Sequence, residues 1–221
     1  MERQQQRTQA RRPLETRRRP QAAELAAWLT RRGIEPNAVS VASVVVALGA
    51  AGALIALPHV PDAAKVALLV GAALLIQLRL LANLMDGLMA VEGGRKTATG
   101  DLYNEIPDRI ADVLILVGAG YATTWVSWGD AIGWAAAAAA LLTAYVRLLG
   151  GSLGATQHFV GPMAKPHRMA LLTAACLASV AEIPFGYSGR VLTVALAVVA
   201  AGSILTFVRR TMLISAELEA R

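Results

Sequence analysis

Six of the chain's fifteen carboxylates stand in residues 83–112, "NLMDGLMAVEGGRKTATGDLYNEIPDRIAD": Asp86, Glu92, Asp101, Glu105, Asp108 and Asp112. Long apolar runs flank this stretch on both sides. Asn83 and Asp86 are three apart and share one face of a helix, while Asn104, Asp108 and Asp112 are spaced four apart and share another, with Glu105 at its border. A carboxylate inside a transmembrane helix costs about 3 kcal/mol on insertion scales, and several together repel. Ion pairs with Arg79 and Arg109 are one remedy, although helical spacing turns Arg109 away from the Asp108/Asp112 face. Divalent cations are the other. Mg²⁺, Mn²⁺ and Ca²⁺ take oxygen ligands, and there is no His/Cys cluster that would suit zinc. Gly87 follows Asp86 directly, and the glycines of "EGGRKTATG" let backbone approach a bulky ligand. Arg95 and Lys96 can meet phosphate. Metal ions beside phosphate-friendly groups at a membrane surface point to phosphoryl chemistry on a lipid.

The elements that must position these groups are membrane helices. Of 221 residues, 56% are hydrophobic, and mean hydropathy is +0.51. The apolar residues come in runs of roughly twenty, about the length that crosses a bilayer core. The expected fold is all-α and polytopic, with six transmembrane helices near residues 38–57, 64–91, 102–125, 130–153, 167–185 and 190–212. Residues 21–35 precede them as an amphipathic interfacial helix, with Leu25, Trp28 and Leu29 on one face and Glu24, Arg31 and Arg32 on the other. Residues 1–20 form a basic tail with seven arginines, expected to be disordered and cytoplasmic, beside anionic headgroups. Residues 36–221 are then one six-helix domain.

The connectors "PHVPD", "VSWGD" and "PFGYSG" carry little basic charge, whereas the others hold Arg95 and Lys96, then Lys165, His167 and Arg168. That alternation places both termini and the acidic stretch in the cytoplasm. The first apolar run begins near Val39, too late for a secretory signal peptide. A single cysteine, Cys176, excludes an intramolecular disulfide. Net charge is +6, but a nucleic-acid partner is not expected, because the charge sits beside membrane helices.

The acidic stretch resembles the signature of the CDP-alcohol phosphatidyltransferase family, D-x2-D-G-x2-A-R-x8-G-x3-D-x3-D. This chain reads Asn83, Asp86, Gly87, Ala90, Val91, eight further residues, then Gly100, Asn104 and Asp108, with matching spacing throughout. "GIEPNAVS" before the first span and "GPMAKPHR" before the fifth are similar to the family as well. Asn83 and Asn104 stand at two aspartate positions and Val91 at an arginine position, while Glu105 and Asp112 return the carboxylate count to four. The resemblance implies transfer of a phosphatidyl group from CDP-diacylglycerol to an alcohol, with release of CMP, at a multi-pass site in the cell (inner) membrane. Two divalent ions, Mg²⁺ or Mn²⁺, would clamp the pyrophosphate. Asp108 stands where the family has its general base. Asp86 would be the firmest metal ligand, followed by Asp108, Asp112, Glu105, Asn83 and Asn104. Gly87, Ala90, Gly94, Arg95, Thr97 and Gly100 would line the nucleotide, and Lys165 and Arg168 would hold the acceptor or a second phosphate. A homodimer among membrane lipids is the implied assembly. A non-catalytic relative and a cation- or proton-coupled carrier are the alternatives.

Overall fold

The computed structural model of the chain describes residues 20–92 and 99–221. The arginine-rich tail and Gly94, Arg95, Lys96 and Thr97 lie outside the described residues. Among the described residues seven α-helices follow one another: α1 Pro20–Arg31, α2 Pro36–Ala56, α3 Asp62–Glu92, α4 Gly100–Tyr121, α5 Gly129–Ser152, α6 Lys165–Ser179 and α7 Arg190–Glu219. Short 3-10 turns, Leu57–His59 and Val180–Phe185, extend α2 and α6.

Local chemistry sets these boundaries. Gly33 ends α1 with φ 77°, a conformation glycine adopts without the Cβ penalty other residues meet. Glu35 is extended at φ −86° and ψ 142°, as the residue before a proline must be, and Pro36 opens α2. Thr99 leads into α4 at Gly100.

Among the described residues, five segments are long and apolar enough to cross a membrane: Pro36–His59, Asp62–Ala90, Gly129–Ser152, Lys165–Phe185 and Arg190–Glu219. The protein is thus membrane-embedded. The expected third span corresponds to α4, which has the length, at 22 residues, but carries Asp101, Glu105, Asp108, Arg109 and Asp112 between its first turn and its middle. Its composition therefore sets it apart from the other five. It stops at Tyr121, four residues short of the expected end, because Thr124 and Trp125 turn to donate to the Ser188 carbonyl (2.9 and 2.8 Å).

The helices form a bundle in which α2 packs on α3 and α4, α4 on α5, α5 on α7, and α6 between α3 and α7. Small residues permit close approach. A Cβ on Gly118 of α4 would stand 2.8 Å from the Ala51 Cα of α2. Gly120 and Gly133 face each other across α4 and α5 in the same way, at 2.9 Å. The core between these helices holds Leu54, Leu69, Ile76, Ile115, Leu116, Leu172 and Leu196. A second cluster joins Ala26 of α1 to Met85, Leu88 and Met89 at the end of α3, with Leu29 against it. So α1 packs through Ala26 and Leu29, whereas Leu25 and Trp28 stay exposed, Trp28 beneath the Arg32 guanidinium at 5.0 Å.

Candidate active site

Four helices bring polar groups to the ends of α3 and α4. On α3, Arg79, Asn83 and Asp86 follow at intervals of four and three, so they lie on one stripe. On α4, Asn104, Glu105, Asp108, Arg109 and Asp112 face them. Lys165 and Arg168 open α6, and Arg147 comes from the last turns of α5.

Asp86, Asp108 and Asp112 are buried and Glu105 is half-buried, and all but Asp86 are held by cations. Arg79 is fully buried, at 0% exposure, and lies between two aspartates, 3.2 Å from Asp108 Oδ1 and 2.9 Å from Asp112 Oδ1. It also donates to the Asp108 carbonyl oxygen at 2.9 Å. The second oxygen of Asp112 accepts from Arg168 at 2.8 Å. Lys165 Nζ bridges α3 and α4, donating to Asn83 Oδ1 at 2.6 Å and to Asp108 Oδ2. Asn83 in turn donates to Asn104 Oδ1 at 3.4 Å. Glu105 meets Arg147 at 2.7 Å and Arg109 at 3.4 Å.

Asp86 is different. It is 4% exposed and takes a hydrogen bond from Ser40 of α2 on one oxygen. Its other oxygen, Oδ1, is buried with no hydrogen-bond partner among the described residues. Asp108 and Lys165 are its charged neighbours.

Arg147 links the site to the connection between α5 and α6. Its second nitrogen donates to Gln157 at 2.9 Å, and its guanidinium lies 5.2 Å from the Phe159 ring centroid. That connection is fastened along its length. Glu217 on α7 accepts from the Thr156 amide at 2.9 Å and stands 3.3 Å from His158. Arg210 donates to the Val160 carbonyl at 2.9 Å, and Arg168 to the Met163 carbonyl at 2.8 Å.

The structure thus brings Asn83, Asp86, Asn104, Glu105, Asp108, Asp112, Lys165 and Arg168 to one place. Gly87 and Ala90 sit in the closing turns of α3, and Gly100 opens α4, so all three border residues 93–98. Two sequence expectations change. Arg109 does not turn away: its long side chain curls back to Glu105 and comes within 3.6 Å of Asp108. Arg168, expected at an acceptor phosphate, is 1% exposed and engaged by Asp112 and the Met163 carbonyl. Arg79 has the central structural part, which its spacing of seven before Asp86 signals. Ser40 has a fainter signal, a hydroxyl in the first turn after "EPN".

Among the described residues, no group of three or more His, Cys, Asp or Glu side chains is arranged to hold a metal ion. The donor chemistry still suits a hard cation. Every free donor is oxygen, and the unpartnered Asp86 Oδ1 is a buried carboxylate oxygen without a counter-charge of its own. Asp86, with the amide oxygens of Asn83 and Asn104 nearby, would hold such an ion.

No protein-family model matches the chain. It is 29% identical over 201 residues to a phosphatidylinositol phosphate synthase from Streptomyces avermitilis, covering 87% of this chain and 77% of that one. Its fold is that of the Mycobacterium tuberculosis phosphatidylinositol phosphate synthase. The structure of that enzyme with CDP-DAG bound matches with a TM-score of 0.69 at 22% identity, over 87% of this chain and 92% of the other. The structure with manganese and citrate matches with 0.70 at 20% identity, over 88% of both chains. A likeness running through most of the sequence, together with this shared fold, bears out the resemblance to the CDP-alcohol phosphatidyltransferases.

Proposed function

We propose that this protein is a divalent-metal-dependent CDP-alcohol phosphatidyltransferase that moves a phosphatidyl group from CDP-diacylglycerol to an alcohol and releases CMP. The observation that carries the reading is the convergence of Asn83 and Asp86 with Asn104 and Asp108, at the motif's spacing, on two facing helices joined by Lys165. The relatives' names support a phosphorylated polyol of the inositol phosphate type as acceptor.

The chain's own residues divide the work. Asp108 is the general base, taking the proton of the attacking hydroxyl, and Arg79 and Lys165 keep its carboxylate from turning away. Asp86 would hold a divalent ion, with the amide oxygens of Asn83 and Asn104 as its neutral ligands. When bound, that ion supplies positive charge against the pyrophosphate and the leaving CMP. Lys165 meets phosphate oxygens beside it. Asp112, gripped by Arg79 and Arg168, fixes the pitch of α4 against α3 and α6, so the base is held where the substrate arrives. Gly87, Ala90, Gly94, Arg95, Thr97 and Gly100 border the nucleotide. Arg95 and Lys96 in the loop that joins the acidic helices, against little basic charge at their far ends, favour a cytoplasmic site, with six spans counting α4 and α1 in the membrane interface. A homodimer is the expected assembly.

The test uses purified protein in detergent with Mn²⁺ or Mg²⁺, CDP-diacylglycerol and a panel of inositol phosphate, glycerol phosphate, inositol, glycerol and serine. CMP release with at least one acceptor, and none from Asp108→Ala, is the expected outcome. A panel that gives no CMP above that variant refutes the reading.

A further inference from the structure

The motif resemblance implies a pair of divalent ions, and two such ions need about four carboxylates for neutrality. The geometry here points to a smaller complement. We propose that Lys165 takes the place of one of the two ions, so that the site binds a single divalent cation. This inference rests on the metal-dependent reading above and deepens it.

Three observations carry it. First, Asn83 and Asn104 stand at two of the four motif aspartate positions, so that quartet has only Asp86 and Asp108 as charged members. Secondly, the two added acids do not make up the loss. Glu105 is held by Arg147 and Arg109, and Asp112 by Arg79 and Arg168. Counted together, the four carboxylates Asp86, Glu105, Asp108 and Asp112 face the five cations Arg79, Arg109, Arg147, Lys165 and Arg168. Adding two divalent ions would leave a large positive excess in a buried region, where like charges are screened least. Thirdly, the Lys165 ammonium bridges Asn83 Oδ1 and Asp108, one oxygen from α3 and one from α4. Those are the first and fourth positions of the quartet, so the ammonium joins the same two helices that an ion between them would join.

Of these four carboxylates, only Asp86 has an oxygen with neither a hydrogen bond nor a cation against it among the described residues. Asp86 Oδ1 is buried and unpartnered, on the far side of the carboxylate from Ser40. The single cation therefore belongs at Asp86, with Lys165 beside it presenting the second positive charge to phosphate.

The decisive measurement counts metal directly. Metal-stripped protein in detergent is dialysed to equilibrium against Mn²⁺, alone and with CMP, and bound Mn²⁺ per chain is read by elemental mass spectrometry. Wild-type protein is expected to hold one ion, and Lys165→Arg also one. The double variant Asn83→Asp/Lys165→Ala returns a carboxylate and vacates the ammonium's place, so it is expected to hold two. Two ions on the wild-type chain, or one on a double variant that elutes and melts as a folded protein, overturns the inference while leaving the transferase reading intact. No ion on any of the three chains overturns both. The expected ion counts without CMP release from any acceptor would overturn the transferase reading alone.

Discussion

Arg79 offers the clearest perturbation of this site. Its guanidinium is fully buried and makes three contacts: Asp108 Oδ1 at 3.2 Å, Asp112 Oδ1 at 2.9 Å and the Asp108 carbonyl oxygen at 2.9 Å. Removing one partner of a buried ion pair costs about 3–5 kcal/mol, chiefly because a charge is left uncompensated. Neither aspartate would be left wholly alone here, since Lys165 stays on Asp108 and Arg168 on Asp112. Arg79→Met, which keeps much of the side-chain volume, should therefore destabilise by about 2–3 kcal/mol, somewhat below that range. At about 2–4 °C per kcal/mol for a chain of this size, the melting midpoint in detergent should fall by roughly 4–12 °C. A double-mutant cycle with Asp112→Asn should return a coupling of about 1–3 kcal/mol, because the two residues touch. A single variant melting within about 2 °C of wild type, with no coupling, would refute the claim that this cation binds α3 to α4.

The remaining predictions concern other contacts. Ser40→Ala removes the hydroxyl that orients Asp86 and should weaken Mn²⁺ binding about 10–100-fold by equilibrium dialysis, with the melting midpoint little changed. An unchanged affinity would show that Asp86 needs no such support. Gly118→Val drives a side chain into the Ala51 backbone and should lower stability by at least about 1–3 kcal/mol in the same melting assay.

Much of the scaffold is visible in the chain before any coordinates. Apolar runs of bilayer length, interrupted by "PHVPD", "VSWGD" and "PFGYSG", mark where the helices start to within a few residues, because desolvated backbone leaves few alternatives to the helix, whereas α7 continues to Glu219, beyond the expected end at 212, and α6 ends at Ser179 in a 3-10 turn. The acidic faces of α3 and α4 are equally legible, since spacings of three and four translate directly into shared stripes. What periodicity does not convey is how charges pair between helices. Arg109 points off the Asp108 face by angle, yet its flexible stem returns the guanidinium to Glu105 and Asp108. Arg168 reads in the sequence as a cation for the acceptor or a second phosphate, but the packing of α6 against α3 and α7 buries it on Asp112. Ser40 meets Asp86 from 46 residues away, through a helix packing that one sequence does not encode as a pattern.

The fastening of Glu217 has a mechanical consequence. Glu217 holds Thr156 and His158, the intervening Gln157 holds Arg147, and Arg147 holds Glu105 on the motif helix. The closing turn of α7 and the acid-bearing helix α4 are thus coupled by a short chain of contacts, although neither closes the gap alone. Whatever unwinds that turn, whether a protease cut, a bulky fusion or a detergent that frays helix ends, would loosen the seat of Glu105 without touching a single motif residue.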